Sequence, residues 1–289
     1  RASGFAAGLA GQQMVEMLRQ RGVTPEFVWV EGETRVNTLI VAEDGSGQST
    51  ITVNTLVVSA GDVQKLTAWY ESALQTATCV VLGGSLPDGV EPDLYTEYIQ
   101  MARQEGIPVV FDASGPGLLA GLKAQPDFVK PNRAELEEIT GQAIYSIDEA
   151  YHAARQLVDQ SGAAVIVTMG ADGALAVLPD RVYRIPSPKV EIVSAAGAGD
   201  AVLAGLAWAL SGRRLVEEGL RLGFAAAGAV MLTPGTADCR RADVERLLPT
   251  IELIPYRPPA QPRPDKEGKS GKPDRTLLGR VYQPDREDP

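Results

Sequence analysis

The chain has 289 residues, 44% of them hydrophobic and 22% charged, enough to bury one large core or two modest ones. Its formal net charge of −10 argues against nucleic acid or an anionic membrane surface as a main partner. The two cysteines, Cys79 and Cys239, stand far apart with no histidine nearby, which excludes a disulfide framework or a zinc site, and no apolar run is long enough to span a membrane. A soluble cytoplasmic protein is the expectation.

The first residues, RASGFAAG, form a glycine-rich turn that leads into the amphipathic GQQMVEMLRQRG. This predicts a helix with Met14, Met17 and Leu18 inward and Gly22 as its stop. A domain rarely opens on such a turn without a strand before it, so further elements are expected upstream of Arg1. Residues 27–54 alternate apolar and polar side chains around a DGSG turn at residues 44–47, which predicts a hairpin of antiparallel strands. From there short apolar runs alternate with helical stretches. CVVLGGS (79–85) precedes a helix at 92–105, and PVVFDAS (108–114) a helix near 117–124. DFVKPN (127–132) precedes RAELEEITG and a second helix at 147–161. AAVIVTMG (163–170) then leads into the strand pair ALAVLPD and RVYRIPSP. Strands separated by helices of this length imply parallel crossovers and a buried sheet. His152, the only histidine, falls within a helix and reads as a surface residue. From residue 255 onward proline and charge dominate, which predicts a disordered tail over 255–289. The Gly268-Lys269-Ser270 within it imitates a phosphate-binding loop, but the upstream glycine would fall on Arg263 and no strand precedes it.

One stretch carries chemistry. In VEIVSAAGAGDAVLAGLAWAL (190–210) a single carboxylate, Asp200, separates a glycine-rich turn from ten uncharged residues. Asp is a good helix N-cap, and capping alone explains a helix start there. It does not explain a helix so apolar, which reads as buried on all sides, Trp208 included, with its N-terminus opening on a cleft floor. The unshielded backbone N–H groups of Gly197, Ala198 and Gly199, backed by the helix dipole, suit an anion. A carboxylate beside them suits removal of a proton from an attacking hydroxyl. A dinucleotide fingerprint is excluded, because its third glycine would fall on Val202.

GAGD at the head of an apolar helix, with LGGSLPDGV, FDASG, VKPNRAELEEITG, VTMGADGALAV and LTPGTADCR in order, resembles the ribokinase-like sugar kinases of the phosphofructokinase B family, in its hexose-phosphate branch. The likeness runs from about residue 1 to 253. It implies a three-layer α/β/α sandwich with a mostly parallel sheet and a small β lid, the kinase domain occupying 1–254 and residues 27–58 forming part of the lid. It also implies phosphorylation of a hexose phosphate by ATP with Mg²⁺, first of all fructose 1-phosphate to fructose 1,6-bisphosphate. A 6-phosphofructokinase, a tagatose-6-phosphate kinase or a catalytically silent sugar- or nucleotide-binding relative are the alternatives.

Residue by residue, Asp200 matches the family's catalytic base, and Gly197, Ala198 and Gly199 its anion hole. Asn132 and Glu135 match the pair that organises Mg²⁺ beside the phosphates; a plain helix cap is the other reading of Asn132. Thr168, Gly170 and Gly173 match the turn near the nucleotide, and residues 232–236 with the small residues 225–228 match the adenine wall. Arg35 and Asn37, expected on lid strands, match groups that reach the sugar phosphate. Lys130 is expected to face the phosphates or to be only a strand-end lysine. A homodimer through the lid is implied as well. Two departures stand out: Ser194-Ala195-Ala196 replaces a common Asn-Thr before GAGD, and the family's sugar-gripping glycine-lysine motif has no counterpart here. Poor solubility and little kinase activity are therefore expected of these 289 residues alone.

Overall fold

The computed structural model describes residues 1–41, 48–51 and 56–258. It begins with a parallel unit: β1 (Phe5–Ala6), α1 (Gly8–Gln20) and β2 (Val28–Trp29). Val28 N–H donates to Gly4 O and Val30 N–H to Ala6 O. Residues 27–30 thus return beside β1 in parallel after a helical crossover, and do not open an antiparallel hairpin as their alternation suggested. Within α1 the buried residues are Gly11 and Val15, with Met14 and Leu18 half-buried on the same face as expected; Met17, also expected inward, is 46% exposed.

The hairpin pattern is real further on. β3 (Glu31–Gly32) pairs antiparallel with β6 (Leu56–Val57), and β4 (Thr38–Val41) pairs antiparallel with β5 (Gln48–Ile51). The DGSG turn expected at 44–47 lies outside the described residues. α2 (Ala60–Leu74) follows, started by a capping box in which the Ser59 and Asp62 side chains satisfy each other's backbone N–H groups.

The main body continues with β7 (Val80–Gly83), α3 (Asp93–Gln104), β8 (Val109–Asp112), α4 (Gly115–Lys123), β9 (Phe128–Val129) and α5 (Arg133–Thr140). Then come α6 (Ile147–Ser161), β10 (Ala164–Thr168), β11 (Ala174–Val177), β12 (Val182–Ile185), α7 (Ala198–Ser211), α8 (Val216–Met231), α9 (Arg241–Leu247) and β13 (Ile254–Pro255). One seven-stranded sheet runs β13-β12-β11-β10-β9-β8-β7. It is parallel from β7 to β10 and finishes with antiparallel β11, β12 and β13.

Alternate residues of these strands feed two cores, because successive side chains leave a strand on opposite faces. Val109, Phe111, Val165, Val167, Leu175 and Val177 pack under α2 to α6. Val110, Ala164, Ile166, Ala174 and Ala176 pack under α7, α8 and α9. The result is a three-layer α/β/α sandwich. The second face is rich in alanine, which leaves room for α7 to lie close to the sheet. α7 and α8 also approach each other closely: a side chain on Gly205 would strike the backbone of Gly219 and Gly223. α7 is not buried on every side, however. Trp208 is 41% exposed and carries the Arg214 guanidinium 4.2 Å above its ring. The expected tail boundary at 255 falls inside β13, and Tyr256 hydrogen-bonds Asp148; one compact unit extends to Pro258, and residues 259–289 lie outside the described residues.

Candidate active site

The carboxyl ends of parallel strands in an open α/β sheet face a crevice, and there the fold gathers most of the predicted residues. α7 begins at Gly197, whose φ of 87° is left-handed and whose added Cβ would lie 2.6 Å from Ala237 Cα. Any other residue there is both strained and obstructed. Ala237 N–H donates to Ala196 O at 3.0 Å, so the segment after α8 holds the turn shut. Ala198 N–H is already given to Ala195 O at 3.2 Å. Gly197 and Gly199 keep N–H groups without an acceptor among the described residues, at the positive end of α7.

Asp200 is not the N-cap of α7. Gly197 holds that position, and Asp200 stands in the first turn, exposed and without a capping hydrogen bond. Local structure therefore gives its carboxylate no task.

Lys130 follows β9, a strand enclosed by β8 and β10, and its side chain is drawn inside: the residue is only 7% exposed. Its Nζ lies 3.0 Å from Asp112 Oδ2, at the end of β8. A Cβ added to Gly199 would stand 3.0 Å from the same Nζ. The ammonium is thus wedged between a half-buried carboxylate and the first turn of α7. Burial pushes the Asp112 carboxyl above its ordinary range, Lys130 pulls it back, and Glu135 and Asp200 add to the upward push. Asp112 has no assigned role in the sequence reading. Its signal was a lone charge closing an otherwise apolar strand.

Asn132 caps α5 in a reciprocal box: Glu135 N–H donates to Asn132 Oδ1 at 3.0 Å, and Asn132 N–H donates to Glu135 Oε2 at 2.8 Å. The capping role is therefore real. Thr168, at the end of β10, donates its N–H to Pro131 O at 3.1 Å and pairs with Asn132 in a short parallel bridge. A 3₁₀ turn, Gly170–Asp172, then leads through Gly173 into β11, and Asp172 forms an ion pair with Arg133 on α5. Thr168, Gly170, Gly173, Asn132 and Glu135 thus form one continuous wall.

Arg35 and Asn37 lie on the irregular segment between β3 and β4, not on strands. Arg35 Nη2 donates to Ser85 Oγ at 2.8 Å, which ties this segment to the loop after β7. Ser85, within LGGSLPDGV, carries no sequence signal for this contact. Asn37 is exposed. The small residues 225–228 are mostly buried inside α8, where Gly228 packs on Leu247 and Pro188; helix packing accounts for them. His152 is on the surface of α6, as expected.

The profile of the pfkB family carbohydrate kinases matches residues 4–243. The chain belongs to this family. The 1-phosphofructokinase of Bacillus subtilis is 33% identical over 255 residues, which is 88% of this chain and 82% of that protein. Phosphofructokinase-2 from Escherichia coli, solved in complex with potassium, superposes with a TM-score of 0.77 at 28% identity, covering 86% of this chain and 81% of that one. Arabidopsis thaliana ribokinase, solved with ribose and ATP, superposes at 0.67 with 21% identity over 85% and 80%, a likeness of fold. The chain is thus a ribokinase-like carbohydrate kinase, a phosphotransferase with ATP as co-substrate and an alcohol group as acceptor. Among the described residues no helix is long and apolar enough to cross a membrane.

Proposed function

We propose that this kinase phosphorylates fructose 1-phosphate to fructose 1,6-bisphosphate. The observation that carries the chemistry is Asp200: an unpartnered carboxylate in the first turn of α7, next to Gly199 and within electrostatic reach of the Lys130–Asp112 pair. Its carboxylate accepts the proton of the attacking sugar hydroxyl; the hydroxyl oxygen bonds to the γ-phosphorus and ADP departs. The Gly197 and Gly199 N–H groups and the Lys130 ammonium stabilise the charge that builds on the transferred group, with the Ala198 peptide unit holding the turn. Thr168, Gly170 and Gly173 hold the nucleotide phosphates and ribose. A silent relative would have no reason to keep so costly an assembly of charges.

Asn132 and Glu135 are oxygen donors on one face of the first turn of α5. No group of three or more His, Cys, Asp or Glu among the described residues could hold a metal on its own. That donor set fits Mg²⁺, which is commonly held by few carboxylates and completed by waters and phosphates. Mg²⁺ would there neutralise charge on the ATP phosphates.

Arg35, with Ser85 beside it, takes the phosphate of the sugar, since a guanidinium grips phosphate through two parallel hydrogen bonds. Asn37 reaches the sugar from the same segment. Val36, Ile40, Ile51 and Val57, each more than half exposed, support a homodimer formed through this β layer. The working compartment is the cytoplasm. The test is a coupled ADP-release assay on the protein with fructose 1-phosphate, fructose 6-phosphate and tagatose 6-phosphate. The highest kcat/KM should belong to fructose 1-phosphate; preference for either 6-phosphate overturns the substrate assignment.

A further inference from the structure

α1 begins without a side-chain cap of its own. Its N-cap is Ala7, and no acidic residue stands in its first turn. The free N–H groups there need acceptors from elsewhere. Two acceptors come from the segment that follows β3. Ala10 N–H donates to Glu33 Oε1 at 2.5 Å, and Ala7 N–H donates to Thr34 Oγ1 at 2.9 Å, across 23 and 27 residues of sequence. Thr34 N–H in turn donates to Ala7 O at 3.0 Å, so the helix start and the segment are tied in both directions. The fit is close. Gly8 takes a left-handed φ of 60°, and a Cβ added there would stand 1.8 Å from Glu33 Oε2. Glycine at position 8 is what lets the carboxylate reach the helix. Glu33 thus does for α1 what a local Asp or Ser does for other helices, with its negative charge at the positive end of the helix dipole.

The next residue after Thr34 is Arg35, whose Nη2 donates to Ser85 Oγ at 2.8 Å. Residues 33–37 belong to no strand, so no ladder of backbone bonds fixes this segment. Its place is set by side-chain anchors: Glu33 and Thr34 on α1, and Arg35 on the loop after β7. An arginine side chain is long and rich in rotamers, so its aim depends on where its own backbone is held. Consecutive Cα atoms are about 3.8 Å apart, so a shift at Thr34 passes directly to Arg35. Holding Glu33 on α1 also keeps a carboxylate two residues from the guanidinium from competing with a phosphate for it.

We propose that Glu33 and Thr34 are positioning residues, which use the N-terminus of α1 to aim the Arg35 guanidinium at the phosphate of the sugar. The proposal deepens the reading of Arg35 as the phosphate-binding residue and rests on it. Sugar-phosphate affinity then depends on a helix cap made through two other residues.

The test is a double-mutant cycle on the protein, with Glu33→Ala and Arg35→Met made singly and together. Affinity for fructose 1-phosphate is read as KM and as Kd by calorimetry, beside KM for ATP, kcat and melting temperature. Arg35→Met alone should weaken that affinity by about tenfold or more. Glu33→Ala should weaken it by about tenfold, the scale of one charge-assisted hydrogen bond, with KM for ATP and kcat within about twofold. In the Arg35→Met background the same substitution should change it by less than about twofold. Glu33→Gln keeps an acceptor for Ala10 N–H and should recover most of the affinity. Thr34→Val keeps the shape, loses the acceptor and runs the same cycle independently, with the same result expected. A lower melting temperature with unchanged affinity in Glu33→Ala would make Glu33 a helix cap alone and overturn the proposal. So would an equal loss of affinity in both backgrounds, which a general loosening of the fold produces. If Arg35→Met leaves affinity as it was, the phosphate role of Arg35 is wrong and the proposal is overturned with it. If Arg35→Met weakens binding and Glu33→Ala does not, the proposal alone is overturned.

Discussion

Lys130 Nζ and Asp112 Oδ2 lie 3.0 Å apart inside the crevice, with only 8% of the lysine side chain and 20% of the aspartate side chain exposed. Each comes from the end of a buried parallel strand, so neither can leave without disturbing the sheet. The pair fixes one positive charge against the backbone of Gly199, one residue before the unpartnered carboxylate of Asp200. Much of the proposed chemistry depends on how rigidly that charge is held.

Gly199→Ala tests this rigidity. The new methyl group meets an ammonium that is already pinned by Asp112, so Lys130 or the first turn of α7 must shift. Alanine is a better helix former than glycine, so melting temperature should change little. Turnover should fall measurably but by less than the roughly 10²-fold of a 1 Å misplacement, because the ammonium needs to give only a few tenths of an ångström. Normal kcat in a normally folded variant would mean that Lys130 need not sit where it does.

Lys130→Met removes the charge and keeps the length. Asp112 is then left half-buried beside Glu135 and Asp200 with no counter-ion, which should cost stability near neutral pH, by less than the roughly 3–5 kcal/mol of breaking a fully buried pair. The sign with pH follows from the raised carboxyl of Asp112. A carboxyl with a folded-state pKa above its unfolded value adds stability below the unfolded value and loses it as pH rises through the folded one. The variant raises that pKa further, so its deficit against the parent should be largest near neutral pH and shrink toward the ordinary carboxylate range. Urea unfolding of both proteins at about pH 7.5 and about pH 5 reads this directly. A deficit independent of pH would assign the cost to packing.

The legible parts of the sequence were those with strong local signals. Strands such as VVFD and AVIVT and the helix at residues 147–161 were readable because apolar runs and caps fix them locally. The chemistry at Asp200 was readable because a lone carboxylate at a glycine turn is unusual. Val28 misled, because alternation marks a half-buried strand but not its partner, and the partner was chosen by the α1 crossover. Trp208 misled because a long ring can lie along a surface under an arginine. Asp112 and Ser85 were in view yet unassigned: their roles depend on Lys130 and Arg35, which reach them across 18 and 50 residues of sequence.

Arg35→Lys separates charge from geometry. A lysine retains the positive charge but cannot offer two parallel donors to one phosphate. KM for the sugar phosphate should rise by about tenfold or more, while KM for ATP and kcat stay within about twofold, because the bond lost is made in ground and transition states alike. If KM for the sugar phosphate does not move, Arg35 only fastens the β3–β4 segment to Ser85.

The most direct measurement is the turnover of Asp200→Asn on fructose 1-phosphate, by coupled ADP release. Asp200 is not the cap of α7, so the substitution costs only its interaction with the helix dipole, about 0.3–1 kcal/mol, and the fold should survive. Loss of a general base should lower kcat by about 10²-fold or more, with ATP binding by calorimetry largely retained. A folded variant that turns over at close to the parent rate would contradict the account, because the proton would then be leaving by another route.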